Sequence, residues 1–476
     1  MRLPRHLSLR VAACLSAVLM STGCSSSDAR ARAALGEYQA ATAANDLTAA
    51  RRALLDLVRA KDDVPDYWVE LGKLQISMGS YSDAYYSFTR AYELDRSNVE
   101  ILHAVVELAM RSGDISLAQT HAQELEVLSP GDPWVKLTNG WAAYSQSHFD
   151  EALQAANAIL ATAPFDPGAN VLKARALLSL NREDEAIDVL SRQIQGQPSD
   201  MSSREVLAKI YVRQRNWPKV VEVAAPLAAT TSGDRSGALM LIEAALRSGN
   251  FNAARTASFR ALTPGADPSL IGSVLDLWAN YWPSPQRVQD ARTLAYHASG
   301  LQQRLAYASF LNRLGSPADA ARLSAPAAGL PVSARNAEAN AVLADAWAHD
   351  GNFTAAKSRF DAVIAFDPGN ATALRGRAEL ELRTNNAAAA IVDAQKLVTV
   401  LPNSSRDRLL LARSYTAAGK NDWADRTLWS AFEAIPGDDQ VYMALQQTRK
   451  GNMEATRELQ EEFDRQRDSQ IFRGFL

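Results

Sequence analysis

Cysteine is nearly absent from this sequence. The 476 residues include two cysteines, Cys14 and Cys24, both close to the amino terminus. The chain beyond residue 24 therefore has neither a disulfide nor a thiolate for a structural zinc site. The histidines beyond that point are scattered and lack the spacing of paired metal ligands: His103, His121, His148, His297 and His349. We therefore expect no metal and no other cofactor.

An excess of basic charge is missing too. The 50 lysines and arginines are outnumbered by 53 aspartates and glutamates, which gives a net charge of −3. A nucleic-acid-binding protein normally presents a basic face, so this balance argues against nucleic acid as a partner. No block of like charges indicates a polybasic patch for a membrane surface.

Motifs of catalysis are also lacking. The stretch GDRSG at 233–237 is not the G-x-S-x-G of a nucleophile elbow. The stretch AAGKND at 417–422 lacks the upstream glycine of a phosphate-binding loop. Carboxylates are plentiful, but on helix faces they are ordinarily solvated charges. We therefore predict a protein without enzymatic activity, and leave open the alternative of a site in the irregular stretch 269–300.

The first 24 residues, MRLPRHLSLRVAACLSAVLMSTGC, place three arginines (Arg2, Arg5 and Arg10) ahead of a short apolar stretch at 11–20. This order is typical of an export signal, and the stretch is too short to span a bilayer. The closing STGC resembles the lipobox of bacterial lipoproteins, although Ser21 stands where leucine is usual. The resemblance implies cleavage before Cys24, acylation of that cysteine, and, because Ser25 follows it, the outer membrane. The alternative is a simple secretory cleavage with an incidental thiol.

The body of the chain repeats every 34 residues. The phrases GNFNAA at Gly249 and GNFTAA at Gly351 lie 102 residues apart, three times that period. Windows that start at residue 31 and step by 34, with a two-residue slip near 301, align as twelve copies. Position 15 is mostly glycine or asparagine: Asn45, Gly79, Gly113, Ser147, Asn181, Arg215, Gly249, Pro283, Gly315, Gly351, Asn385 and Gly419. Position 20 is mostly alanine: Ala50, Ala84, Ala118, Ala152, Ala186, Val220, Ala254, Val288, Ala320, Ala356, Ala390 and Ala424. Position 32 is proline in six copies: Pro130, Pro164, Pro198, Pro368, Pro402 and Pro436.

Each aligned position has a mechanical role. Glycine and asparagine tolerate the left-handed backbone that ends a helix, so position 15 predicts a turn between two helices. A small side chain at position 20 lets the two helices approach closely, and the proline ends the second helix. Apolar residues between these positions recur with helical spacing, and no stretch shows the sustained alternation of a strand. The sequence therefore predicts an all-α protein built of helix pairs.

A 34-residue helix–turn–helix unit with these positions resembles the tetratricopeptide repeat (TPR) family. The best single match is residues 65–98. It carries the following residues at the family's expected positions: Trp68, Leu71, Gly72, Ala84, Phe88 and Ala91. The resemblance covers roughly residues 31–438. It implies a right-handed superhelical solenoid of about twelve repeats, in which each repeat buries its apolar face against its neighbours.

We divide the chain into six segments on this basis. They are a signal peptide (1–23), a tether after acylated Cys24 (24–30), repeats 1–7 (31–268), degenerate repeats 8–9 (269–336), repeats 10–12 (337–438), and C-terminal capping helices with a tail (439–476). The apolar end of the tail, QIFRGFL, either folds back on the last repeat or docks into a partner.

The resemblance also implies a partner-binding face, because TPR proteins bind other proteins or peptides along the first helices of successive repeats. An aromatic set on this face is predicted to anchor a peptide or a partner helix: Trp134, Leu137, Trp141 and Tyr144. The alternative is that Trp134 and Tyr144 fill the core between repeats. A charged set is predicted to bind an acidic segment or an anionic polymer: Arg375, Glu379, Arg383, Arg406 and Arg413. Its alternative is a solvated face with ion pairs inside each helix.

Together these features predict a non-catalytic scaffold for protein–protein interactions. We expect it to be lipid-anchored in the bacterial outer membrane, to face the periplasm, and to support an envelope machine such as exopolysaccharide export, a pilus or a secretion apparatus. The alternative is an adaptor lipoprotein that recruits periplasmic peptidoglycan hydrolases or proteases. Both functions rest on analogy with lipoproteins of this kind.

Overall fold

The regular structure of the chain is helical throughout the part that the structure describes. The structure is a computed structural model, and it describes residues 26–229, 235–450 and 452–472. The predicted signal peptide, Cys24 and the last four residues of the QIFRGFL tail lie outside these ranges. Among the described helices, none combines the length and the hydrophobicity that crossing a membrane requires.

The described residues form two compact units, 26–189 and 190–472, with the boundary inside the tenth helix. The first ten helices are α1 Ser26–Ala43, α2 Leu47–Ala60, α3 Pro65–Ser77, α4 Tyr81–Leu94, α5 Val99–Arg111, α6 Ile115–Leu128, α7 Pro133–Ser145, α8 Phe149–Leu160, α9 Pro167–Ser179 and α10 Glu183–Gly196. The others are α11 Met201–Arg213, α12 Trp217–Ala224, α13 Arg235–Arg247, α14 Phe251–Ala261, α15 Pro268–Tyr281, α16 Gln286–His297, α17 Leu301–Arg313, α18 Pro317–Ser324, α19 Ala337–His349, α20 Phe353–Phe366, α21 Ala371–Arg383, α22 Ala387–Val400, α23 Ser405–Ala417, α24 Asn421–Ala434, α25 Asp439–Thr448 and α26 Met453–Phe472.

The helices come in consecutive pairs that follow the predicted windows. Odd-numbered helices are the first helices of the repeats and even-numbered helices are the second, so α1–α24 make twelve pairs. All six prolines at position 32 lie in the connections between one pair and the next, where a missing N–H costs nothing. The prediction of an all-α TPR architecture is therefore confirmed.

The turns inside the pairs are left-handed, as position 15 predicts. Eleven of the twelve residues at that position have a positive φ. They include Ser147 (φ 65°) and Arg215 (φ 55°), whose side chains do not favour this conformation. The exception is Pro283, because its ring fixes φ at a negative value. Here the turn is replaced by a short connection between α15 and α16.

Small residues at the helix crossings account for the close packing of the pairs. Nine of the ten alanines at position 20 are almost completely buried, for example Ala84 and Ala356 at 0 % exposure. Glycine serves the same purpose where an aromatic ring lies on the backbone. A Cβ on Gly376 would lie 2.4 Å from Cζ of Phe360, and one on Gly72 would lie 2.6 Å from Cε2 of Phe88.

The region predicted to be degenerate, 269–336, contains two helix pairs, α15/α16 and α17/α18. Its core is aromatic: Trp278 is fully buried and donates its indole N–H to Oγ of Ser258 at 3.0 Å. A one-turn 3-10 helix, Ala325–Ala327, and a loop then lead to α19. The side-chain amide of Asn340 donates a hydrogen bond to the carbonyl of Gly329 at 3.0 Å and so holds this loop on α19.

Helices α25 and α26 pack on the last predicted repeat. Phe463 of α26 is fully buried, and its ring stacks on Tyr442 of α25 with centroids 4.2 Å apart. The same ring lies 6.3 Å from that of Phe432 in α24. These contacts cover the apolar end of the last repeat, which would otherwise face water.

Candidate partner-binding face

First helices pack against first helices along the second unit. Each of α13, α15, α17, α19, α21 and α23 contacts the next helix of this odd-numbered series. Residues 34 positions apart therefore meet: Arg383 reaches His349, and Arg247 reaches Tyr281. We call this series of helices in residues 190–472 the first-helix face.

The charged set predicted from the sequence is only partly available to a partner. Arg375 donates two hydrogen bonds to Asp407, at 2.6 and 2.8 Å, and the Asp407 side chain is fully buried. Burial acts to lower the pKa of Arg375, but the hydrogen bonds and charge of Asp407 raise it above its ordinary value overall. This pair joins α21 to α23 and is structural.

Two other members of the set are also engaged. Nη2 of Arg406 lies 3.5 Å from Oε1 of Glu379, and burial followed by the charge of Arg375 lowers the pKa of Arg406. Arg375 and Arg406 thus pair with carboxylates of the neighbouring repeat. The alternative predicted from the sequence, ion pairs inside each helix, is not what these two arginines form.

The remaining arginines, Arg383 and Arg413, have no carboxylate partner within the described residues. Arg383 donates to Nε2 of His349 at 3.1 Å and to the carbonyl of Ala348 at 3.3 Å, and neither acceptor is a carboxylate. Arg413 is exposed on α23. These two cations are the part of the charged set that a partner can neutralise.

A histidine and two carboxylates also meet on this face, which the sequence analysis did not anticipate. Ligand atoms of Asp345, His349 and Glu379 lie within 4.8 Å of one another. The signal was present in the sequence, since Asp345 and His349 are four residues apart on one helix and Glu379 follows Asp345 by one period. Burial, then the charge of Glu379, act to raise the pKa of Asp345, and it is raised although the nearby His349 opposes this.

These donors match those of divalent-cation sites, but two of them already face guanidinium groups. Arginine can only donate, so Nε2 of His349 accepts the hydrogen bond from Arg383. Nδ1 is buried and has no hydrogen-bond partner among the described residues. A cation would have to displace Arg383 from the imidazole and Arg406 from Glu379.

The predicted aromatic set lies in the first unit. Trp134 is half-buried against the core of that unit, and Leu137 packs on the backbone at Gly168. The Trp141 side chain is only 8 % exposed and is covered by the guanidinium of Arg175, 5.3 Å from the ring centroid. Oγ of Ser179 donates to the hydroxyl of Tyr144 at 3.3 Å. The set therefore contacts neighbouring helices, and its role in binding a partner stays a prediction.

A second polar cluster on the first-helix face was not predicted. The guanidinium of Arg247 lies over the rings of Trp217 and Tyr281, 4.8 and 4.3 Å from their centroids. Its Nη2 donates to the Tyr281 hydroxyl at 2.6 Å and also to Oδ2 of Asp439, at the start of α25. The Tyr281 hydroxyl donates to the same Oδ2 at 3.0 Å. Burial raises the pKa of Tyr281, so the hydroxyl keeps its proton and remains a donor.

The stretch 269–300, left open for an enzyme site, contains structural pairs. Asp290 is buried and accepts two hydrogen bonds from Arg255, at 2.7 and 3.0 Å. Arg287 donates to the carbonyl of Trp278 at 3.0 Å. These groups are satisfied within the fold.

Comparison with known proteins agrees with this architecture. Residues 137–200 and 343–404 match the tetratricopeptide repeat family model. No curated protein sequence matches the chain. With twelve helix pairs in the predicted register and this match, the chain contains tetratricopeptide repeats.

Solved structures with detectable similarity include TPR proteins. A tetratricopeptide repeat protein from Parabacteroides merdae is 17 % identical, with a TM-score of 0.38, over 52 % of this chain and 98 % of its own. Yeast Tom70 is 13 % identical, with a TM-score of 0.32, over 94 % of this chain and 98 % of its own. YrrB, described as a TPR protein with an unusual peptide-binding site, is 17 % identical, with a TM-score of 0.28, over 35 % of this chain and 86 % of its own. At these values the similarities carry no information about partners.

TPR proteins are generally non-catalytic scaffolds that bind peptides or other proteins in a concave groove. The TPR architecture of this chain supports the same general role, a scaffold for protein–protein interactions.

Proposed function

We propose that this protein is a lipid-anchored scaffold that faces the periplasm and gathers protein partners of an envelope machine. The first 24 residues support the anchoring, because they combine an export signal with a lipobox-like STGC. The TPR architecture supports the gathering of partners. Exopolysaccharide export or a related secretion apparatus is the first candidate for the machine.

The observation that carries the scaffold function is the pair of unneutralised cations on the first-helix face. Arg383 and Arg413 lie on α21 and α23, and within the described residues neither pairs with a carboxylate. Charged groups of this kind at a protein surface steer and align a partner of opposite charge. The partner that this part of the face fits is a protein segment rich in aspartate and glutamate.

The partner-binding role is tested by crosslinking and recovery of partners from cells that produce the full-length protein. We expect Arg413→Glu to reduce recovery, because it places a like charge opposite an acidic partner. Lys396→Glu is the matched control, since it makes the same charge change at an exposed position on a second helix, α22. Equal recovery with both variants and the unmodified protein would remove this face from the proposal.

The anchoring is tested separately with Cys24→Ser. We expect the unmodified chain to incorporate labelled palmitate and to sediment with membranes, and the variant to do neither. A protein that sediments equally well without Cys24 contradicts the lipid anchor.

The identity of the machine is tested by deleting the gene. Loss of secreted polymer supports a role in export. Normal polymer with altered cell-wall turnover contradicts the export role and favours the adaptor alternative, a recruiter of peptidoglycan hydrolases.

A further inference from the structure

The last helix pair contacts first helices that lie far earlier in the same unit. Asp439 of α25 bonds to Arg247 of α13 and to Tyr281 of α15, across 192 and 158 residues of sequence. Helix α26 packs along α11, and Asp464 lies 3.5 Å from Arg215 in the turn after α11. The C-terminal pair therefore occupies part of the first-helix face, the surface that in TPR proteins receives a partner.

The pocket around Asp439 has the composition of a carboxylate receptor. Two donors, Nη2 of Arg247 and the hydroxyl of Tyr281, converge on one carboxylate oxygen. The rings of Trp217 and Tyr281 hold the guanidinium in place, and Glu243 fixes its other side at 2.8 Å from Nε. A guanidinium that is oriented in advance by its neighbours binds a carboxylate with little further loss of side-chain freedom.

The side chain of Asp439 is a ligand of the pocket and is not the N-cap of α25. The N-cap of α25 is Asp438, whose carboxylate accepts from the backbone N–H groups of Gln440 and Val441, both at 2.9 Å. Asp439 is therefore not required to cap its helix, and its side chain is used as a ligand. Without it, the largely buried Nη2 of Arg247 and the Tyr281 hydroxyl would lose their shared acceptor, which is costly for buried donors.

The C-terminal pair also contacts α11 through α26. The ion pair between Arg215 and Asp464 joins side chains that are each about half exposed, and such pairs contribute little in water. The firm attachment of α26 is to its own repeat, through Phe463. A competitor for the pocket takes the place of the Asp439 carboxylate, and the contacts of Phe463 with its own repeat are separate from that carboxylate.

We propose that the pocket of Arg247, Tyr281 and Trp217 is a binding site for an aspartate or glutamate side chain of a partner protein, and that Asp439 occupies it in cis until such a partner competes. The inference rests on the proposed function, because it assigns a ligand and a control of access to the same first-helix face. A partner segment with an acidic side chain displaces Asp439 and gains the part of the face that the C-terminal helices cover.

The experiment uses the full-length chain and a fluorescein-labelled peptide that copies residues 435–448. The unmodified chain keeps its own Asp439 in the pocket, so its apparent affinity for the peptide is reduced by the fraction of closed molecules. We expect Asp439→Asn in the chain to tighten peptide binding by at least about tenfold, since this fraction falls. Adding Tyr281→Phe, which removes one hydroxyl, is expected to reverse most of the gain, and Arg247→Leu all of it.

A peptide in which asparagine replaces the aspartate that corresponds to Asp439 is the matched control, and we expect it not to bind. A second, unrelated glutamate-rich peptide should compete with the first, which tests whether the site takes acidic segments as a class. Circular dichroism checks that every variant remains folded. Binding that is equal in the unmodified and Asp439→Asn chains, or that survives Arg247→Leu, overturns the inference.

These outcomes are distinguishable from a failure of the proposed function. If Arg413→Glu reduces partner recovery while Asp439→Asn does not change peptide binding, the face binds partners but is not closed by its own C-terminal pair. If the peptide behaves as expected while no partner is recovered, the pocket exists but the scaffold function is wrong.

Discussion

The residues in the left-handed turns show how much a single position contributes to the stability of the protein. Glycine occupies most of these positions, whereas Ser147 holds the same conformation with a side chain present. In the left-handed region a non-glycine residue costs roughly 1–2 kcal/mol, because its Cβ approaches the carbonyl oxygen. The Ser147 side chain is exposed and makes no compensating hydrogen bond within the described residues.

We therefore expect Ser147→Gly to raise the free energy of unfolding by about 1 kcal/mol in a chemical denaturation experiment. Gly79→Ala is the reciprocal control, because Gly79 has φ 76° and no atom within 4 Å of an added Cβ. It should destabilise the protein by a similar amount through backbone strain alone. A Ser147→Gly protein that is less stable than the unmodified one would contradict this explanation of position 15.

Asp345 carries a prediction about pH. Its pKa in the folded protein is raised, chiefly by burial, so the folded state holds the proton more tightly than the unfolded chain does. Below the pKa of the unfolded chain both states are protonated, and the raised pKa does not change the stability of the fold. As the pH rises from there through the folded pKa, the folded state is progressively penalised. Asp345→Asn removes that penalty.

We expect Asp345→Asn to unfold at a higher temperature than the unmodified protein at pH 7, and the difference to shrink as the pH falls towards 4. Thermal unfolding followed by circular dichroism at several pH values measures this. Asp350→Asn, at an exposed position just after the same helix, is the control and should show no such pH-dependent gain. A gain that is constant from pH 4 to pH 7 would falsify the assignment of the effect to this carboxyl group.

At the scale of the helical element, first and second helices approach closely where an aromatic ring packs on a glycine. The ring of Phe360 in α20 is fully buried and lies on Gly376 of α21. A methyl group on Gly376 would be 2.4 Å from that ring, so one of the two helices would have to shift.

We expect Gly376→Ala to destabilise the protein by about 1–3 kcal/mol, despite the better helix propensity of alanine. Gly272→Ala is the control, since Gly272 is also helical, in α15, but has no atom within 4 Å of an added Cβ. It should stabilise the protein by about 0.5–1 kcal/mol. Urea denaturation of both variants gives the comparison, and equal effects would show that packing at Gly376 plays no part.

The elements themselves could be predicted from the sequence because their signals are local. Position 15 fixes the turn, position 20 fixes the crossing, and proline fixes the end of the pair, each through conformational preferences of one or two residues. The pairs of the candidate face could not be predicted as well. Arg375 meets Asp407 one repeat later, which the period alone does not reveal. The contact of Arg247 with Asp439 joins positions 192 residues apart, and no repeat pattern encodes it.

At the scale of the whole molecule, the last helix pair, α25/α26, covers the end of the last repeat in the second unit. Phe463 is fully buried between Tyr442 and Phe432. Replacing a buried phenylalanine by alanine costs about 3–5 kcal/mol, and in a repeat array most of that cost falls on the neighbouring repeat.

We expect Phe463→Ala to accelerate amide hydrogen exchange in α25, α26 and the adjoining α24, as measured by mass spectrometry. Exchange in α11 should also rise, because α26 packs on it. Helices α19 and α20 serve as the internal reference and should be unaffected. If α11 stays as protected as before, the packing of α26 on α11 contributes nothing to its stability.

The contact between Asp439 and Arg247 also constrains the number of repeats. An open row of repeats tolerates the gain or loss of a unit, because each member touches only those beside it. Here a carboxylate at the start of α25 has to meet a guanidinium on α13. Inserting or deleting 34 residues between them would carry the two groups apart by the displacement of one whole repeat. The contact therefore fixes at five the number of helix pairs that lie between, from α15/α16 to α23/α24.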